Sequence, residues 1–148
     1  MLSACGGGTK TQPVSTRVVS GPGFSFAAPG GWHTHRTQHA VSASNGGAQV
    51  SVTTYTLQKP YRPELFAAAA RELDRVAAEL AAQAGQKVTE RQTLEVAGRK
   101  IRAYRFGTMR IAFVLVGSRE YQLLCRQPAG GQDAGGACAL LFKSFTLS

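Results

Sequence analysis

Three cysteines are the residues of this chain best placed to do chemistry, and they divide into a pair and a single. Cys125 and Cys138 flank a glycine-rich loop, Arg126 to Ala137. An even pair around such a loop reads as a disulfide, with two buried free thiols as the alternative. A metal site at this pair lacks ligands, because no second cysteine pair or neighbouring histidine completes it. Cys5 ends the run Leu2-Ser3-Ala4-Cys5 and precedes Gly6-Gly7-Gly8, the pattern of a bacterial lipobox. There the cysteine becomes the mature N-terminus and carries diacylglyceryl and palmitate-type chains. Such a signal also needs a basic and then an apolar region, whereas only Met1 and Leu2 precede the motif, so the remainder is expected upstream.

His33, His35 and His39 are the next candidates. On an extended segment His33 and His35 share a face, a spacing that can hold Zn²⁺ or Cu²⁺, but no acid or cysteine nearby completes a ligand set. The flanking Thr34, Arg36, Thr37 and Gln38 favour a solvated loop. Ser25 stands in Gly23-Phe24-Ser25-Phe26-Ala27, a near miss to the nucleophile elbow of serine hydrolases. That motif requires a helix directly after the turn, and Pro29-Gly30-Gly31 forbids one, so the segment reads as a core strand. The glycine-rich stretches lack the lysine of a phosphate-binding loop, and no pair of acids stands out as general acid and base. The sequence calls for no cofactor.

Arg99, Lys100, Arg102, Arg105, Arg110 and Arg119 concentrate basic charge in one stretch. Projecting from one sheet edge they would form a patch for an anionic partner; scattered over wet positions they would be ordinary surface charge. The formal net charge of +9 favours anionic neighbours such as lipid head groups or envelope polymers. Nucleic acid leaves that list if the chain is exported.

The elements that must position these groups follow from patterning. The 148 residues support one domain, and no run approaches the ~18 apolar residues of a spanning helix. Membrane attachment is therefore expected through lipid at Cys5. Residues 1–5 read as the remnant of a lipoprotein signal and 6–21 as a flexible tether in which Val14, Val18 and Val19 could add a short edge strand. Residues 22–148 read as the domain. Phe24 and Phe26 share one strand face, and Trp32 follows a turn. Residues 40–44 and 48–57 form a hairpin around Asn45-Gly46.

Leu65, Phe66, Ala69, Leu73, Val76 and Leu80 recur at helical spacing from about Pro63 to Ala84, with Gly85 as the stop. A meander follows: 87–96, 99–106, 109–116 and 119–125, turning at Gly98, Gly107 and Gly117. The third of these strands is apolar on both faces and must be covered twice. The long helix and a short C-terminal helix, about Ala134 to Ser144, supply the covers. The expected class is α+β, an α/β/α sandwich with an antiparallel sheet of about six or seven strands. Cys138 on the last helix and Cys125 on the last strand face each other in that arrangement.

This order of elements, opened by Phe-Ser-Phe-Ala-Ala-Pro-Gly-Gly-Trp and closed by Lys143-Ser144-Phe145-Thr146-Leu147, resembles the Mog1/PsbP-like family, and within it small bacterial lipoproteins of the DcrB and PsbP-related kind. The resemblance covers about Phe24 to Leu147 and implies a non-enzymatic protein. Such proteins serve as envelope lipoproteins, assembly subunits, a GTPase regulator or secretion chaperones. None of the family's binding residues matches a position here. The expectation is an exported, lipid-anchored binding or assembly module whose partner is anionic lipid, an envelope polymer or an envelope protein. A cytosolic adaptor or secretion chaperone of the same fold is the alternative, and a hydrolase or metal-binding protein a further one.

Overall fold

Alternation of apolar and polar residues produces nine strands among the described residues, which in this computed structural model are 15–128 and 133–148. Cys5, its lipobox and most of the expected tether lie outside them. Six strands form one antiparallel sheet in the order β3-β4-β5-β8-β7-β6: β3 His33–Arg36, β4 Ala40–Asn45, β5 Ala48–Tyr61, β6 Glu90–Val96, β7 Arg99–Phe106 and β8 Met109–Arg126. The other three, β1 Thr16–Gly21, β2 Phe24–Pro29 and β9 Thr146–Leu147, form a separate sheet in the order β1-β2-β9. Residues 16–21, assigned to the tether with an edge strand as an option, are thus a strand paired along its full length with β2.

Each face of the large sheet carries its own cover. A short 3-10 turn, Pro63–Leu65, leads into α1, Phe66–Gln83. Leu73, Ala77 and Ala81 of α1 pack on Tyr104, Phe106, Ile111 and Phe113. The opposite face, with Val41, Val50, Val52, Ala112 and Val114, is covered by α2, Ala137–Ser144, and by Phe24 and Phe26 of the small sheet. This is the α+β sandwich that the doubly apolar strand required. Phe24, Tyr121 and Phe145 meet with ring centroids 5.7 to 6.0 Å apart where β2, β8 and α2 converge.

Two turns differ from the sequence reading. Asn45 pairs with Ala48, so the hairpin loop is Gly46-Gly47, and Gly46 alone takes the positive φ, 59°. At Gly117 the chain does not reverse. Residues expected as two strands, 109–116 and 119–125, are the single strand β8, which pairs with β7 through its first half and with β5 through its second. Gly117 takes a positive φ of 56° at the bulge where the register with β5 shifts, between Thr56 and Tyr61. It also switches face parity: Ile111, Phe113 and Leu115 point towards α1 before it, and Leu124 after it.

The disulfide joins Cys125 of β8 to Cys138 of α2 with their Cα atoms 5.5 Å apart. Cys125 is fully buried and belongs to the same core cluster as Tyr121, Leu123, Leu141 and Phe145. The Asp133 carboxylate accepts hydrogen bonds from the Cys138 and Ala139 amides at 2.8 and 3.0 Å, satisfying donors at the start of α2.

Candidate functional site

The apolar stripe of α1 begins a turn before the sheet can cover it, and that mismatch opens a groove. Leu73 is 7% exposed, yet Leu65 at the start of the stripe is 47% exposed. The opposing wall is the overshoot of β5 and β8 beyond the paired sheet. Thr56 pairs with Arg119 and Tyr61 with Gly117, so Leu57, Gln58, Lys59 and Pro60 stand opposite Ser118 alone. Pro60, which has no amide hydrogen to donate, suits this irregular segment. The result is a cavity of about 360 Å³ walled chiefly by Leu57, Pro60, Leu65, Ala69, Leu73 and Leu115.

Three charged residues touch it: Lys59, Glu72 and Glu120. Glu72 is engaged by Arg75 on its own helix. Glu120 has no ion-pair partner among the described residues, and burial pushes its carboxyl above the usual range. Tyr61 and Leu115 also line a second cavity of about 380 Å³, whose other walls are Pro63, Phe66, the Ala97-Gly98 turn, Arg99 and Lys100. Lys100 Nζ lies 4.5 Å from the centre of the Phe66 ring. Burial raises the Tyr61 hydroxyl pKa, with Arg99 opposing and Glu64 adding to the shift.

The six basic residues do not come together. Lys100 and Arg102 lie on the α1 face of the sheet, where Arg102 is bound to Asp74. Arg105 and Arg110 are cross-strand partners on the α2 side; Arg105 pairs with Glu90 at 3.1 Å, and Arg110 lies 4.5 Å over the Phe142 ring. Burial, and then the charge of Arg105, lower the pKa of the Arg110 guanidinium. Arg119 sits beyond the bulge, near Gly23 and on a cavity wall with His39. Arg99 and Lys100 share one cavity wall, and Arg105 and Arg110 share another, beside Asp133.

His33 and His35 occupy the exposed edge strand β3, opposite Ser44 and Ser42, where a solvated loop was expected. His39 lies apart, beside Thr37, on the wall of another cavity. Among the described residues no three His, Cys, Asp or Glu side chains cluster closely enough to hold a metal. Ser25 lies in β2 with its hydroxyl 3.0 Å from that of Thr146, in a strand and not at a strand-to-helix elbow.

Sequence reading missed the groove residues Leu57, Tyr61 and Glu120. Pro60 inside a strand-like run was the available signal, as was Leu65 standing one turn ahead of the buried stripe.

No protein-family model matches the chain, and no curated protein matches it in sequence. Solved structures are similar to it, two among them as follows. Cyanobacterial PsbP (CyanoP) from Synechocystis sp. PCC 6803 is 14% identical with a TM-score of 0.61, the match covering 99% of each chain. A crystal structure from Bacteroides thetaiotaomicron VPI-5482 is 9% identical with a TM-score of 0.51, and the match covers 93% of this chain but 49% of that one. At such identities the likeness is one of fold, and the chain has the α+β fold of PsbP.

Proposed function

We propose that this chain is an exported, lipid-anchored envelope lipoprotein that acts as a non-enzymatic binding or assembly module. The observation that carries this reading is the buried Cys125–Cys138 disulfide. Such bonds persist in oxidising compartments and are rare where glutathione and thioredoxin hold thiols reduced. Export accounts for the pair, and the lipobox ending at Cys5 accounts for the cysteine left over. The likeness to PsbP supports an accessory role, as does a groove walled by apolar side chains where an enzyme would gather an acid, a base and a nucleophile.

Anchoring is tested by expressing the gene with its upstream reading frame and fractionating the cells. The native protein should sediment with membranes and resist extraction by high salt, while Cys5→Ala should appear in the soluble fraction. Equal partitioning of the two would argue for a soluble adaptor of the same fold.

A further inference from the structure

We propose that the two adjoining cavities form one site for a single-chain lipid with an anionic head group. The inference deepens the binding role proposed above and does not depend on the anchor at Cys5. The cavities share Tyr61 and Leu115 on their walls, so they adjoin. Their chemistry differs. One end offers Leu57, Leu65, Leu73 and Leu115, which an alkyl chain would cover and remove from water. The other presents Arg99 and Lys100, and neither has an ion-pair partner among the described residues.

Three further features favour an anion at that second end. Its walls carry no acid, since Glu64 of the adjacent turn is not among them. Pro63 and Phe66 bring the start of the helical segment to its wall, and no side chain caps that start, which leaves the positive end of the helix dipole close by. The net charge of +9 attracts anions from a distance. At the apolar end, Glu120 is biased towards its neutral form by the burial that an alkyl chain would deepen, so it opposes the chain less than a solvated carboxylate would. Each cavity falls within the ~300–1,000 Å³ span of small-molecule sites.

The test is titration of the folded chain with dodecyl phosphate below its micelle concentration, followed by backbone amide shifts. Inorganic phosphate and dodecyl maltoside serve as controls for the head and the chain. Saturable shifts at residues 57–61, 65–73 and 97–100, with affinity at least about tenfold above either control, support the site. The double variant Arg99→Gln/Lys100→Gln, at a half-buried and an exposed position, should weaken dodecyl phosphate about tenfold and leave dodecyl maltoside unchanged. Leu57→Gln should weaken both alkyl ligands. Equal binding of inorganic phosphate would reduce the site to a bare cationic patch. Equal binding of the maltoside would reduce it to an apolar groove that does not read the head group. Either result, or shifts elsewhere, overturns the proposal and leaves the anchoring experiment untouched.

Discussion

The Arg102 guanidinium of β7 donates to both carboxylate oxygens of Asp74 on α1, each at 3.0 Å. The fully buried Tyr104 adds a hydrogen bond from its hydroxyl to the same carboxylate. Helix α1 is thus tied to the sheet by a polar clamp at the edge of an apolar contact. Leu73, the residue before Asp74, lines the groove.

Asp74→Asn should cost about 1–3 kcal/mol in urea unfolding, because it leaves a half-buried guanidinium without its counter-charge. Burial alone would raise the Asp74 carboxyl; hydrogen bonds from Tyr104 and Arg102, with the charges of Arg102 and Arg91, outweigh it and hold the carboxyl below its ordinary value. A depressed folded pKa contributes stability above the unfolded value near 4, and that contribution is lost as pH falls through the folded value. Native stability should therefore decline below about pH 5, and the variant should show a shallower decline. Identical acid profiles would contradict the clamp.

Glu120 has the opposite sign. Its raised carboxyl favours the folded state only when protonated, so the contribution is present at low pH and lost as pH rises through the folded value. Glu120→Gln should raise stability at pH 7 by a few tenths of a kcal/mol, solvent in the groove screening the rest. The gain should vanish below about pH 4. A loss at pH 7 would mean that Glu120 has a partner that strengthens it.

Reducing the Cys125–Cys138 bridge, or replacing both with alanine, should lower stability by about 3 kcal/mol, the chain-entropy value for a loop of this size. In a domain of this size that corresponds to a melting temperature lower by roughly 6–12 °C. Exchange of α2 amides should rise more than that of α1 amides, because the bridge ties α2 and not α1 to the sheet. Unchanged melting on reduction would remove the bridge from the account.

Ala97 is the non-glycine residue with positive φ among the described residues, at 53°, in the turn joining Val96 to Arg99. Left-handed backbone costs a residue with a Cβ about 1–2 kcal/mol. Ala97→Asn, which tolerates this conformation, should raise the unfolding free energy by about 0.5–1 kcal/mol. A lower melting temperature would show that the methyl group is needed at the cavity wall.

What could be read from the sequence was local. Leu73, Val76 and Leu80 announced α1 by their spacing, and Phe24 with Phe26 announced a buried strand face. Tyr121, Leu123 and Cys125 placed the bridge on an inward face opposite Cys138, as found. What escaped depended on pairing between distant segments. Gly117 reads equally as a turn or a bulge, because both need positive φ, and only the partners of residues 119–126 on β5 decide between them. The arginines could not be assigned to faces without that register, which puts Arg102 towards α1 and Arg110 towards α2. The groove draws on 57–61, 65–73 and 115–120, three segments brought together by the bulge.

The most direct test of the central claim is the intact mass of the protein isolated from its native membrane fraction, with and without reduction before thiol alkylation. The account predicts a mature chain beginning at Cys5 with added diacylglyceryl mass, in which Cys125 and Cys138 alkylate only after reduction. An unlipidated chain retaining Met1 with three freely alkylated thiols would contradict it.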